Sequence, residues 1–441
     1  MKLLFIENRY KTFFFESITK ELTVKGYEIH WLIQNKEFTP SSEFKLHSIR
    51  YPKGNYKFVK DEAVETVIKS DRQLNHFDKK DTSYFYYYNE KIRKLLKKIK
   101  PDLVFGESTA FHELLTINNC KELDILYLNP STCRYPIGRF SFYKYDTLEP
   151  YQGSKEILSK KDAEITIDQI VNRKTVPDYM KPIPVSNNKK VKDQFKKVYS
   201  YIKGERFNTP NPLIKYKLEK LKVSNILEWD NIAVNSIDED TKFKVLYPLQ
   251  MQPEANIDVW GRKHRNQSKL ISKIANQLPK NAVLYVKPNP KSKYELNKDI
   301  IKVIKENEKI IPLKHSSKMD AVLPKIDLVI TVTGTIAIEC ILSNKPVVNL
   351  VNTINNEAKN CSYIDLKENE LENQINKVKE DKFYKLNISE KIDFINILNS
   401  SSYKGIVSDP FSDLNCLSEY NMNNIEKAFN DILNKTTNNV N

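Results

Sequence analysis

The sequence predicts an α/β protein built from two doubly wound, parallel-sheet domains in tandem. Two observations carry this. Short apolar runs alternate with amphipathic stretches from residue 2 to about 130, the alternation lapses, and it restarts near 243 and runs to about 350. The chain has 441 residues, 40% of them hydrophobic, enough for two or three domains with self-sufficient cores despite 29% charged residues.

In the first half, Lys2–Ile6 is a compact apolar run and reads as a buried strand. Phe14, Ile18 and Leu22 recur at helical spacing, and Gly26 supplies the stop. Glu28–Ile33 is the second strand and the alternating stretch 44–49 the third. Helices are expected near 60–74 and 84–98, with Pro101 closing the second. Strand 102–105, helix 110–120 and strand 125–128 complete the first sheet. From about 134 to 230 the rhythm fails; this Tyr-, Lys- and Pro-rich segment reads as a mostly helical insertion.

The second sheet follows with strands at 243–249, 282–286, 327–332 and 346–350 and a short strand around Ile311. Its helices are expected at 267–277, 295–306, 319–323 and Ile336–Ser343. Ile425, Phe429 and Ile432 mark an amphipathic C-terminal helix. The domain reading is therefore 1–235, with the helical insertion at about 135–230, then 236–415, then a helix in 416–441 that packs back on the first domain.

Glycine scarcity narrows the chemistry. The chain has nine, and Gly138 and Gly153, the nearest two, are fifteen residues apart. A G-x-G-x-x-G fingerprint and a G-x-x-x-x-G-K phosphate loop are excluded, so any phosphate is held another way. The formal charge of +15 points to an anionic partner such as a nucleotide or acidic lipid, or to a Lys-rich solvated surface. The five cysteines are widely spaced without a C-x-x-C pair, and the six histidines form no ligand grouping, so no metal site is expected. The apolar stretch opening the chain is too short for a signal peptide, and no run is long enough to span a bilayer, so a reduced, cytoplasmic protein is expected.

Open parallel sheets bind ligands beyond the carboxyl ends of their strands, and two such domains are expected to face one cleft. The strongest local pattern is DLVITVTGTIAIECILSNKPVV, 327–348. A strand runs into Thr333-Gly334-Thr335 and a helix begins at once, offering hydroxyls, free N–H groups and a positive dipole end to a phosphate. Glu339, one turn in, is placed for ribose hydroxyls. An ordinary Thr-capped turn is the alternative. Upstream, VLYVKPNP sets Lys287 and Asn289 in a Pro-stiffened loop at a strand end. YPLQMQPEANIDVWG contributes Gln252 and Glu254, and His315 and Ser316 follow another strand end. In the first domain PDLVFGES puts Glu107 just past a strand, a candidate general base or merely a helix-start residue. Glu7, Arg9, His112 and Arg134 are placed to line the same side.

Taken in order, these segments, with LNPSTCRYPIGRF, resemble the bacterial capsule polysaccharide biosynthesis glycosyltransferases, a broad GT-B group that includes the Kdo transferases. The resemblance implies a nucleotide-sugar pocket in the second domain, lined by the Lys-Pro loop and the Thr-Gly-Thr turn, and an acceptor site in the first. It implies a metal-independent transferase, with Glu107 and Lys287 catalytic, that needs no cofactor and acts on an oligosaccharide or lipid-linked acceptor. It further implies a location at the inner face of the plasma membrane, against anionic lipid and beside other capsule enzymes, with no nucleic acid partner. Where the group carries His-Pro, this chain has Asn289-Pro290, so phosphate stabilisation leans on Lys287 and the helix amino end. Other readings are a polyol-phosphate transferase or nucleotide-sugar epimerase of the same fold and, more distantly, a nucleic-acid-binding protein or a non-catalytic scaffold.

Overall fold

The computed structural model describes residues 1–41, 43–54, 56–175 and 185–438. The part of the expected helical insertion at 176–184 lies outside the described residues.

The strands are β1 (Lys2–Ile6), β2 (Glu28–Ile33), β3 (Lys45–Ser48), β4 (Leu103–Phe105), β5 (Leu126–Thr132), β6 (Arg139–Lys144), β7 (Phe243–Pro248), β8 (Ala282–Lys287), β9 (Ile310–Pro312), β10 (Leu328–Thr331), β11 (Val347–Asn349), β12 (Cys361–Tyr363) and β13 (Tyr403–Lys404). They form two sheets, ordered β13-β6-β5-β4-β1-β2-β3 and β12-β11-β10-β7-β8-β9. The second is parallel throughout; the first is parallel from β5 to β3 and ends in antiparallel β6 and β13. This is the α/β, doubly wound architecture expected, present twice.

Two compact units divide the chain: residues 1–159, 176–212 and 396–441 form one, and 160–175 with 213–395 the other. The chain thus crosses between units several times, where the sequence reading placed boundaries at 235 and 415 with the last helix returning to the first domain. Packing explains the assignments. Trp229, on the helix Pro212–Ile232, is fully buried in the second core, and its indole N–H donates to the Leu313 carbonyl at 2.8 Å. The helix Lys160–Val171 buries Ala163, Ile167 and Ile170 and leads to Arg173, which pairs with Glu339 of the same unit. The C-terminal helix Glu419–Asn438 sends Ile425, Phe429 and Ile432 into the first core, with the Phe429 ring 5.0 Å from that of Phe105 and 4.9 Å from that of Phe142.

The segment expected to be mostly helical opens instead with β6. Phe140 and Phe142 alternate into the core while Ser141 and Tyr143 face the other way, a period-two pattern hidden by the surrounding polar residues.

Candidate functional site

In the second unit β7, β8 and β10 run parallel, so their carboxyl ends share one edge of the sheet. Lys287 closes β8 there. It is 4% exposed, and its Nζ donates to the Pro288 carbonyl at 3.0 Å. Among the described residues it has no carboxylate partner. Burial pulls its pKa down, because removing water disfavours the charged form.

β10 and β8 flank β7, so the ends of those two strands, Thr331 and Lys287, stand two strand spacings apart, about 10 Å. Between them Gln250, at the end of β7, reaches the Thr331 hydroxyl at 3.4 Å, and that hydroxyl accepts the Gly334 N–H at 3.0 Å. Gly334 is required for closeness: a Cβ would sit 2.4 Å from Thr331 Oγ1 and 3.1 Å from Gln250 Nε2. The Thr333 hydroxyl donates to the Asn256 carbonyl at 3.0 Å, tying the turn to the short helix Asn256–Trp260. Thr335 occupies the N-cap of Ile336–Ser343 without a side-chain cap bond.

The other predicted residues of this unit divide into supporting and open groups. Gln252 is a buried hub: its amide donates to Asp258 Oδ1 at 2.7 Å and to the Arg265 carbonyl at 3.0 Å, and it accepts from Gln267 Nε2 at 2.9 Å. Asp258, pushed up to about 6 by burial, also accepts the Glu254 N–H. Asn289 accepts the Lys291 N–H at 2.8 Å and stiffens its own loop. Glu339 receives both Nε and Nη2 of Arg173, at 2.9 and 2.7 Å. His315 follows β9; its N–H donates to Asp230 Oδ1 at 2.7 Å, while its ring Nε2 is buried without a hydrogen-bond partner. Ser316 beside it is exposed.

In the first unit the ends of β1, β2 and β4 surround a small polar cavity lined by Glu7, Arg9, Gln34, Arg72, His112 and Asn208, among others. Glu7 is buried and accepts N–H groups of Arg9 at 2.7 Å and Asn35 at 2.8 Å; burial raises its pKa. His112 Nδ1 accepts from the Asn208 amide at 3.0 Å, so Nε2 carries the proton and donates to the Glu7 carbonyl at 2.8 Å. Burial lowers the pKa of His112 and keeps it neutral. Glu205 is fully buried; burial alone would raise its pKa, but hydrogen bonds from Asn208 N–H, the Thr209 hydroxyl and Gln34 leave it lowered. Arg9 and Arg72 both donate to the Asn208 carbonyl, at 2.7 and 3.2 Å, and among the described residues neither has a carboxylate partner.

Glu107 lies beside this cavity. It pairs with Lys11 and accepts the Asn8 amide at 3.0 Å. The same amide donates to Glu113 at 2.8 Å, so one Asn bridges two carboxylates. Glu113 is fully buried at the start of the helix Phe111–Glu122 and takes the Thr109 and Ala110 N–H groups. Burial, then the Glu107 charge, pushes it up to about 7. Arg134 follows β5 and acts electrostatically on Tyr143.

Sequence reasoning missed Glu113, Arg72, Asn208 and Arg173. None follows a strand end; they arrive from helices or from the linking segment. Among the described residues no group of three or more His, Cys, Asp or Glu is placed to hold a metal ion, and no helix is long and apolar enough to cross a membrane.

Comparison with known proteins adds one sequence match. Residues 155–356 match the family described as "Capsule polysaccharide biosynthesis protein", which bears out the resemblance read from the motifs. The match takes in the linking segment, where motif evidence was thinnest, and leaves out PDLVFGES. No curated protein matches the chain. Among solved structures, the β-Kdo 2,7-transferase KpsC of Thermosulfurimonas dismutans is similar at 10% identity and a TM-score of 0.40, over 93% of this chain and 94% of that one. The Neisseria meningitidis UDP-GlcNAc 2-epimerase bound to UDP-GlcNAc is similar at 14% identity and a TM-score of 0.25, over 99% of this chain and 100% of that one. The MurG protein of Acinetobacter baumannii shows 10% identity and a TM-score of 0.26, over 90% of this chain and 94% of that one.

Proposed function

We propose that this chain, whose residues 155–356 carry the capsule polysaccharide biosynthesis signature, is a glycosyltransferase that moves a sugar from a nucleotide-linked donor to a growing surface polysaccharide. One observation carries the donor reading: Lys287 is a buried cation without a carboxylate partner, at the strand edge that also presents the Gly334 turn and a helix amino end. A buried charge is costly unless something compensates it, and an anion supplied by the substrate does so. The separation of about 10 Å across β7 suits a phosphate-linked nucleotide held at both sides. As the bond from sugar to phosphate breaks, charge grows on the leaving oxygens, and a fixed ammonium and fixed dipoles stabilise it without reorganising. The unpartnered Nε2 of His315 is a further donor-side contact in this reading, and no metal is called on.

The first unit is the acceptor side. Glu107 takes the proton of the attacking hydroxyl; Lys11 and Asn8 fix its carboxylate in place. Arg9 and Arg72 suit an acceptor carrying a carboxylate or phosphate, such as a lipid-linked oligosaccharide.

A thermal-shift panel of CMP-, UDP-, GDP- and CDP-linked sugars tests the reading, since a ligand that binds only the native state raises the midpoint. At least one donor is expected to do so, and the sugar to be transferred when acceptor is added. A donor that binds and is isomerised without acceptor would replace the transferase reading with an epimerase.

A further inference from the structure

We propose that the helix Asn187–Ile202 of the first unit docks the protein onto an anionic phospholipid bilayer. The helix is inverted. Its buried residues are the polar Asp193 and Ser200. Its apolar residues point outward: Phe195 is 72% and Ile202 69% exposed, with Val191, Val198 and Tyr199 exposed beside them. At 3.6 residues per turn, positions 191, 195, 198, 199 and 202 share an arc of about 100°, opposite the arc of Asp193 and Ser200.

The helix is held to its unit by polar contacts. The Tyr10 hydroxyl bonds Asp193, which also pairs with Lys197. Lys196 sits 4.1 Å from the Phe38 ring centroid. The most exposed residues of the stripe, Phe195 and Ile202, are not among these contacts.

Charge selects the occupant. Besides Lys196 and Lys197, which serve the attachment, Lys189, Lys190, Lys192 and Lys203 stand on or just after the helix, and its single acid, Asp193, is buried and paired. An apolar stripe bordered by lysines fits the boundary between headgroups and acyl chains: the side chains enter the hydrocarbon and the ammonium groups stay at the phosphates. A protein partner would match the stripe but leave the lysine excess uncompensated, and nucleic acid would match the lysines but not the stripe. The inference goes beyond the donor reading and does not depend on it.

Flotation of the full chain with phosphatidylcholine vesicles, with and without phosphatidylglycerol, tests it. The wild type is expected to float with the anionic vesicles, more weakly at high salt. Phe195→Ser/Ile202→Ser is expected to weaken partitioning by about tenfold or more, while its circular dichroism and the donor-induced thermal shift stay as in wild type. Phe195→Trp emission should shift to the blue and be quenched by brominated lipid. The proposal is overturned if the double variant floats as well as wild type, or if the wild type floats with neither vesicle. A wild-type dimer that the double variant disperses would make a second copy the occupant instead. RNA binding retained by the double variant, without flotation, would assign the lysines to nucleic acid. Lys287→Met should float normally, so a failed donor site and a failed docking surface give separate results.

Discussion

Lys287→Met separates a ligand-binding lysine from a structural one because its two effects have opposite signs. Without ligand, the wild-type ammonium is buried with a single carbonyl partner, and burial lowers its pKa. A cation whose folded pKa lies below its unfolded value penalises the native state at every pH below that folded pKa. Removing the charge while keeping a linear side chain should therefore leave the unliganded midpoint unchanged or raise it. With donor present, the variant lacks a charge-assisted hydrogen bond worth about 1.5–3 kcal/mol, or roughly 10- to 150-fold in affinity. At a donor concentration of 100 times the wild-type Kd, wild type gains about 2.7 kcal/mol of stability and a variant with a hundredfold weaker Kd only about 0.4 kcal/mol. Thermal shift with and without the donor reads both numbers. A Lys287→Met protein that loses stability on its own yet keeps the full donor-induced shift would refute the reasoning, because the lysine would then be serving the fold.

Other consequences follow from the same geometry. Gly334→Ala places a Cβ 2.4 Å from Thr331 Oγ1; it should cost about 1–3 kcal/mol in denaturant unfolding and weaken donor binding, because the turn must move. Gly106→Ala, whose Cβ would meet the Tyr127 hydroxyl at 2.3 Å and Ile6 Cβ at 3.0 Å, should cost a similar amount in the first unit, on the order of 1–3 kcal/mol, with donor binding intact. Glu113, held up to about 7 in the folded chain against an ordinary 4.5, binds more protons folded than unfolded, so its contribution to stability falls as pH rises from about 4.5 through 7. Glu113→Gln should remove that part of the decline in a pH series of urea unfolding; an unchanged slope would contradict it. Arg173→Ala breaks the paired hydrogen bonds to Glu339 and should loosen the helix Lys160–Val171, read as faster amide exchange there, with little change across the first core.

Much of the fold was legible because buried parallel strands write themselves as apolar runs. β1 and β2 fall at the predicted residues, and Ile336–Ser343 does as well, since Ser343 and Asn344 end an apolar helix whose start is fixed by the Thr-Gly-Thr turn. The linking segment was opaque for a physical reason. Trp229 is an isolated core residue on a Lys-rich helix, and the helix Asn187–Ile202 hides its polar residues and exposes its apolar ones, so periodicity there points away from the core. β12, β13 and the helices Glu370–Lys379 and Ile388–Ser400 were also missed; β12 and β13 are three and two residues long, too short to show a period.

The site was half legible. Strand-end residues such as Lys287, Gly334 and Glu107 could be singled out because a parallel sheet turns its ligand-facing loops out after its strands. What the sequence could not show was how each side chain is spent: Thr333 on the Asn256 carbonyl, Gln252 in a buried amide network, Glu339 on Arg173. The carboxylate pair bridged by Asn8, and the two arginines meeting at the Asn208 carbonyl, join residues far apart in the chain and have no local pattern.

The central claim, that the second unit grips the phosphate of an activated sugar at the ends of β8 and β10, is tested most directly by amide hydrogen exchange of the full chain with and without the nucleotide-sugar that raises its midpoint. Protection is expected in peptides covering 287–292 and 332–338. Exchange that slows only around Glu7 to Arg9 and Glu107 to Glu113, with those two segments unchanged, would place the nucleotide in the first unit and contradict the account.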